Sequence, residues 1–156
     1  MDEQIPGAVA REIIDANLYM VLATADESGR PWASPVYFAN ASYYEFFWVS
    51  SPQATHSHNL ARRPEVGIVI FDSRVTIGTG QAVYMTALAE VVPPDGIEQG
   101  IDVFSRRSLA HGGHAWSTAD VQTEGRSAIR LYRAMATVHS ILAKDGLPDH
   151  RIPVDI

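Results

Sequence analysis

His56 and His58 stand two residues apart in the stretch "SPQATHSHN" (51–59), beside Gln53 and Thr55 and shortly before Arg62 and Arg63. Two chemistries suit such a cluster. Metal binding needs three or four converging ligands, yet residues two apart on a helix face different sides, and His111, His114, His139 and His150 add no ligand spacing. No metal site is predicted. Anion binding is the alternative: the first turn of a helix exposes unpaired N–H groups at the positive end of its dipole, which favours phosphate. Thr55 adds a hydroxyl donor, Gln53 an amide donor, and His56 a ring N–H or a full positive charge. Arg62 and Arg63 lie two turns further on and either reach back or face water. Against this stands a plain polar cap with Thr55 as N-cap, which on the residues alone is the commoner arrangement.

Other chemical signatures are weaker. No Gly-x-Ser-x-Gly elbow is present, and no serine has an obvious histidine partner. Gly78-Thr79-Gly80 lacks the third glycine of a dinucleotide fingerprint and the phosphate-loop lysine, so it reads as a turn before a strand. "AHGGHAWS" (110–117) reads as an ordinary glycine-rich loop in preference to a mobile lid.

The elements that must hold these residues follow from periodicity. Pro6 to Asn17 predicts a helix, with Val9/Ile13 and Ile14/Leu18 spaced by four. "LYMVLAT" (18–24) predicts a strand too apolar to have a wet face. "WASPVYFA" (32–39) alternates, and its Pro35 cannot donate to a ladder, which predicts a bulge or an unpaired edge. "YYEFFWVS" (43–50) returns as an aromatic strand and makes a hairpin with it. Thr55 to Arg63 is a short helix ended by Pro64, "VGIVIF" (66–71) a buried strand, and "TGQAVYMTALAEVV" (79–92) a long one. Pro94 to Leu109 is a second helix, with Ile97, Ile101 and Phe104 on one stripe. Residues 110–125 are a loop, 127–144 one bent strand or two, and 145–146 a turn. The tail "LPDHRIPVDI" has too little periodicity to assign. About six strands without alternating long helices predict a mainly β protein, an antiparallel β-barrel with peripheral helices.

Composition narrows the class. A chain of 156 residues, 46% hydrophobic and 19% charged, is a single globular domain (1–156) and neither disordered nor a coiled coil. Its longest apolar runs, such as Val66 to Phe71, are too short to cross a bilayer. The first twenty residues lack a basic start and apolar stretch, so no secretory signal and no membrane association are predicted. The net charge of -6 opposes non-specific nucleic-acid binding. With no cysteine there is no disulfide framework, and a cytoplasmic setting is expected.

In order, "LATADESGRPWASPVYF", "FFWVSS", "THSHNLARRPEVGIVI" and "GQAVYMTALAEV" resemble the pyridoxamine 5'-phosphate oxidase-like family of flavin-binding split β-barrels, over about Leu18 to Val92. The short helix and following strand match down to Leu60, Pro64 and Val66, and "SAIRLYRA" resembles the last barrel strand of actinobacterial members. The resemblance implies a Greek-key split barrel and a homodimer with FMN in a groove between subunits. It places Ala33, Ser34, Pro35, Val36, Tyr37 and Phe38 along the flavin ring, mostly through backbone groups. Trp48, Val49 and Ser50 fall at the ring and ribityl chain, Thr55 and His56 at the phosphate, and Gln81 at the flavin. It departs from the oxidases themselves: they carry Arg-Lys where this chain has Thr55-His56, and their C-terminal Arg-x-His pattern is replaced by "HRIPVDI". Weaker, pH-dependent phosphate binding is expected, and synthesis of pyridoxal phosphate is not.

Three functions are compatible. The first is an FMN-dependent oxidoreductase acting on a small molecule, in which the cofactor carries the redox chemistry and the protein binds, orients and excludes water. Trp48 or Trp116 would then wall the substrate side, or else fill the core or the dimer interface. The second uses a deazaflavin coenzyme, whose polyglutamate tail would need Arg62, Arg63, Arg106 and Arg107. The third is a non-catalytic flavin- or haem-binding protein; haem would need His56, His58 or His139 as axial ligand.

Overall fold

Pro6 opens helix α1 (Pro6–Ala16), where its fixed φ and missing N–H cost nothing. Ala10 and Ile14 are fully buried, and Val9 and Ile13 pack beside them. Asn17 ends the helix in extended backbone, its Nδ2 donating to the Ile13 carbonyl (2.8 Å). This computed structural model describes residues 5–121 and 128–156.

The further elements are β1 (Tyr19–Ala25), β2 (Pro31–Tyr37), β3 (Ala39–Asn40), β4 (Glu45–Ser50), α2 (Thr55–Arg62), β5 (Glu65–Phe71), β6 (Ala82–Val91), α3 (Ile97–Ala110), β7 (Arg130–Leu142) and β8 (Arg151–Pro153). They form one antiparallel sheet in the order β2-β1-β5-β6-β7-β4-β3, with β8 also on β7. β2 and β4 touch, but no ladder joins them among the described residues. The sheet is therefore a barrel left split at that seam.

Two cores result. Inside the barrel lie Met20, Leu22, Phe38, Phe46, Trp48, Ile68, Ile70 and Val83, closed at one end by α1 and by Ile152, Val154 and Ile156 of the C-terminal segment. Outside it, α3 lays Ile101 and Phe104 on Phe47 and Leu131, with Val121 and Val92 beside them. The second contact depends on Gly100, where a Cβ would come within 2.8 Å of both the Leu131 and Phe47 side chains. Because one face of β4 meets the barrel and the other meets α3, Phe46, Phe47 and Trp48 are all buried.

Several expectations need correction. The strand at 32–39 does not form a hairpin with 43–50: β2 pairs with β1 along Tyr19↔Tyr37 to Ala25↔Pro31, and only Ala39 and Asn40 pair with β4. Pro35 stands on the edge strand, as one of the two expectations had it, and the register past it is unbroken, so there is no bulge. β1 does have an outward face, with Met20 and Leu22 inside and Tyr19 and Ala23 exposed. The sheet has eight strands where about six were expected, because Ala39–Asn40 and the unassigned tail supply two short ones. The second helix begins with a 3-10 turn, Pro94–Gly96, and runs to Ala110. Of the loop at 110–125, Thr118–Val121 is a 3-10 turn, and 122–125 lie outside the described residues. The strand region at 127–144 is one strand, its Ser127 outside the described residues. It bends where the register against β6 slips between Thr86 and Ala87, leaving Thr137 as the extra residue.

Candidate functional site

β4 ends at Ser50, and a tight turn carries the chain into α2: the Ala54 N–H donates to the Ser51 carbonyl (3.1 Å) and the Gln53 N–H to Ser51 Oγ (3.1 Å). Buried Ser57 returns its hydroxyl to the Ser51 carbonyl (2.8 Å), which fixes the helix start against the turn. Inside the helix, Asn59 Nδ2 donates to Thr24 Oγ1 (3.0 Å), a buried tie to β1.

The expected N-cap is not made. Ala54 occupies that position in extended backbone and no side chain caps the helix; Thr55 is the first helical residue and is exposed. A helix start without a cap leaves its first-turn N–H groups turned outward for water or an anion. His56 is nearly buried, and its Nε2 pairs with Ser50 Oγ at 2.8 Å. Burial holds the His56 imidazole below its ordinary pKa of 6.5. Of the two roles foreseen for it, a ring hydrogen bond therefore prevails over a full positive charge.

β2 runs alongside as the free edge of the sheet. Ala33 and Pro35 are exposed, Ser34 and Tyr37 half-buried, Val36 and Phe38 buried. At this seam strip β2, β4 and α2 contact one another; Ala33, Pro35, Gln53 and Thr55 are exposed, Ser34 and Ser50 half-buried, and His56 is held on Ser50, whereas Val36 and Phe38 lie in the barrel core and Tyr37 faces α3. Two further residues play other parts. Trp48 is fully buried and stacks on Tyr132 (centroids 5.7 Å apart, planes at 15°), so its side chain fills the barrel and cannot meet a ligand on the strip. Val49 packs into the core under α3.

Gln81 is remote within the chain. It stands before β6, where its Nε2 donates to the Leu142 carbonyl (2.9 Å) and its Oε1 accepts from the Ala82 and Leu142 N–H groups (3.0 and 2.9 Å). Ser50 pairs with Arg130 at the start of β7 and Gln81 binds Leu142 at its end. The length of that strand, roughly 40 Å at about 3.3 Å per residue, lies between them.

The other face of β2 carries a polar group that the sequence did not reveal. Tyr37 packs edge-on against Phe104 and shares a hydrogen bond with His111 Nδ1 (3.0 Å). Arg107 lies over the Phe38 ring at 4.3 Å and donates to Asn40 Oδ1 (2.7 Å) and the Asn17 carbonyl (2.6 Å). Burial lowers the Arg107 pKa, while Tyr37 and Asp15 nearby oppose that fall; burial raises the Tyr37 pKa. A cavity of about 600 Å³ opens here, lined in part by Asp15, Asn40, Arg107 and His111. The signal was present: Arg107 falls three residues after Phe104, on the buried stripe of α3, where an arginine needs partners. The other arginines considered for a polyglutamate tail are engaged elsewhere. Arg62 pairs with the Glu27 carboxylate, Arg63 donates to the Glu27 carbonyl (3.2 Å), and Arg106 pairs with Asp102 (2.8 Å). The loop after α3 is pinned to that helix: Ser108 Oγ donates to the His114 carbonyl and the Trp116 N–H to Ser105 Oγ, both at 2.8 Å.

The comparisons agree with the split-barrel fold. The family model described as pyridoxamine 5'-phosphate oxidase matches residues 7–122, and no curated protein matches. Among solved structures, the haem storage protein HutZ from Vibrio cholerae is 22% identical, with 81% of this chain and 87% of that one covered at a TM-score of 0.63. A haem binding protein from Mycobacterium smegmatis is 20% identical, with 92% and 55% covered and a TM-score of 0.62. An F420 reductase is 15% identical, with 84% and 95% covered and a TM-score of 0.61. At these identities the structures share the fold alone. No helix among the described residues is long and apolar enough to cross a membrane. The split barrel and the match over residues 7–122 place the chain in the pyridoxamine 5'-phosphate oxidase family.

Proposed function

We propose that this chain is an FMN-binding oxidoreductase that acts as a homodimer on a small molecule, in a cytoplasmic setting. The observation that carries the reading is the uncapped start of α2, placed at the free edge of β2 with Thr55 exposed and the Ser50–His56 pair beside it. The donor set fits a phosphate: first-turn N–H groups, the Thr55 hydroxyl and the Gln53 amide, with neutral His56 fixed by Ser50. The exposed backbone of Ala33 to Pro35 would take the ring edge, and Tyr37 with His111 the substrate side. A bound flavin would supply the electron transfer; the residues named hold and orient it and keep water out.

The dimer rests on the outward face of the sheet. Tyr19 is 59% exposed, Leu88 49%, Phe71 and Val138 47%, and Met135 41%; together they make an apolar surface across β1, β5, β6 and β7. Pairing two copies there would also offer Gln81 a partner's strip to reach. The tail differs from the Arg-x-His pattern of the oxidases: Arg151 is followed by Ile152 and Pro153 and lies over the Tyr84 ring at 3.6 Å.

The test is the visible spectrum of the purified protein, before and after separate titrations with FMN, deazaflavin and haemin. Oxidised-flavin bands saturating at one FMN per subunit support the reading, and Thr55→Val should weaken that binding by about tenfold. A response to deazaflavin alone would replace it with the deazaflavin reductase. A Soret band would replace it with haem binding, for which only His58 of the three histidines considered is exposed; His56 is held by Ser50 and His139 is buried with Nε2 on the Tyr43 carbonyl (2.6 Å). No response would return α2 to a purely structural role.

A further inference from the structure

Where α1 ends, two opposite charges line one cavity without closing on each other. Asp15 stands near the C-terminus of α1, whose last turn has no basic residue, so its carboxylate adds to the negative end of the helix dipole. Arg107 reaches the same place from α3. Its guanidinium is half-buried over the Phe38 ring and donates to two neutral oxygens, Asn40 Oδ1 and the Asn17 carbonyl. The guanidinium fork has further N–H donors beyond those two bonds. Among the described residues Arg107 is in no ion pair: the ion pairs run from Arg62, Arg74, Arg106, Arg133 and His150. Asp15 supports its charge through space but is bonded elsewhere, its Oδ2 accepting from the Tyr43 hydroxyl (2.8 Å). The cavity these two line measures about 600 Å³, within the roughly 300–1,000 Å³ typical of ligand sites. Val103 and Ala41 give it an apolar stretch of wall, and Gln99 an amide. Arg106 lines it too but is closed by Asp102 (2.8 Å). One open charge of each sign remains.

We infer that this cavity binds the zwitterionic headgroup of a small amino acid, its carboxylate on Arg107 and its ammonium on Asp15, with the side chain along Val103 and Ala41. A simple anion would be repelled by Asp15, and a simple cation by Arg107. A ligand that carries both signs meets both. Arg107 supplies the stronger half of the contact, because its guanidinium is half-buried and a charge-assisted, bidentate bond is about twice as strong as a neutral one. The inference goes beyond the flavin reading and does not depend on it. His111 lines the cavity and bonds Tyr37, but Thr55 and His56 take no part in it.

The test is calorimetric titration of the purified protein, without added cofactor, with L-leucine, L-phenylalanine and L-glutamine in turn. At least one should bind saturably. Its N-acetyl derivative, which lacks the cation, and its amide, which lacks the carboxylate, should each bind about tenfold more weakly or worse. Asp15→Asn, at an exposed position and with an oxygen still able to accept from Tyr43, should weaken the amino acid by about tenfold and tighten the N-acetyl derivative. Arg107→Gln should abolish binding of both. Because Arg107 also ties α3 to Asn17 and Asn40, its fold is checked by circular dichroism, and if that variant does not fold Asp15→Asn decides alone. No saturable binding of any of the three amino acids would overturn the inference. So would a derivative that binds as tightly as its parent, or indifference to Asp15→Asn. A negative FMN titration would leave this result standing, and a failure here would leave the flavin reading standing.

Discussion

The inner and outer faces of the same strands tell different stories. On β1, Met20 and Leu22 are fully buried while Tyr19, their neighbour, is 59% exposed. On β6, Val83 and Met85 line the barrel while Leu88 looks out. Both faces are apolar, so composition alone cannot say which one is closed within a single chain. The inner face is closed by α1 and the C-terminal segment; among the described residues, the outer face is closed where α3 covers it, over Phe47 and Leu131. The lesson is that an apolar strand reports the total surface to be buried and not the agent that buries it.

That contrast can be broken experimentally, starting with the interior. Phe46→Ala removes a fully buried ring and should cost about 3–5 kcal/mol by urea unfolding; a loss under about 1 kcal/mol would mean the barrel is not the stabilising core. Gly100→Ala tests the α3 contact. Its Cβ would press within 2.8 Å of Leu131 and Phe47, and a loss of about 1–3 kcal/mol is expected. An unchanged midpoint would show that α3 rides loosely on the sheet.

Acid sharpens the comparison further. Burial lowers the pKa of both His139, inside the barrel, and His56, on α2, from the ordinary 6.5. A base whose folded pKa is depressed takes up its proton first in the unfolded state. Stability should thus be level above neutral pH, then fall as pH drops below about 6.5, and stop falling once the folded pKa values are passed. The slope is at most about 1.4 kcal/mol per pH unit for each histidine. Unfolding curves between pH 8 and 5 give the slope directly, and a flat profile would contradict the burial of both rings. Saturating FMN should reduce the His56 share, because a phosphate beside the ring favours its charged form.

The outer face should show the smallest effect on folding and the clearest effect on assembly. Leu88→Glu changes an exposed residue and should move stability by no more than about 0.5 kcal/mol. If two copies meet on this face, sedimentation should show dimer in the parent and monomer in the variant. A variant that remains dimeric would direct attention to another surface.

How much of this was legible in the sequence follows the same division. β1, β5 and β6 were legible because each carries its own pattern, and α1 and α3 because their stripes are local. The error at 32–50 came from assuming that successive strands pair, a tendency and not a rule; β2 chose β1, and β4 chose β7. β8 was illegible because three residues hold no period, and its existence rests on pairing with Ser140–Leu142. The seam strip was readable as a cluster from "SPQATHSHN", whereas the Ser50–His56 bond and the misplaced cap were not. Those depend on where the turn delivers the helix. Trp48 fills the barrel, one of the roles foreseen for it; Phe46, Phe47 and Trp48 are buried on both faces of β4 and leave no alternation from which that role could be chosen. Arg107 was named only for its charge, since its place over Phe38 depends on α3 crossing the sheet.

The packing of the C-terminal segment on α1 has a consequence for chain connectivity. Gly7 sits against the Asp155 carbonyl so closely that any Cβ there would collide with it, and β8 ties the same segment to β7. The polypeptide is therefore almost a ring, open by a short gap between its first helix and its last strand. Bridging that gap with a few flexible residues and opening the chain at Ile77–Gly78, an exposed turn far from both cores, would preserve every strand pairing described above. The fold is then a property of the strand pairings, to which the point where the chain is opened is incidental.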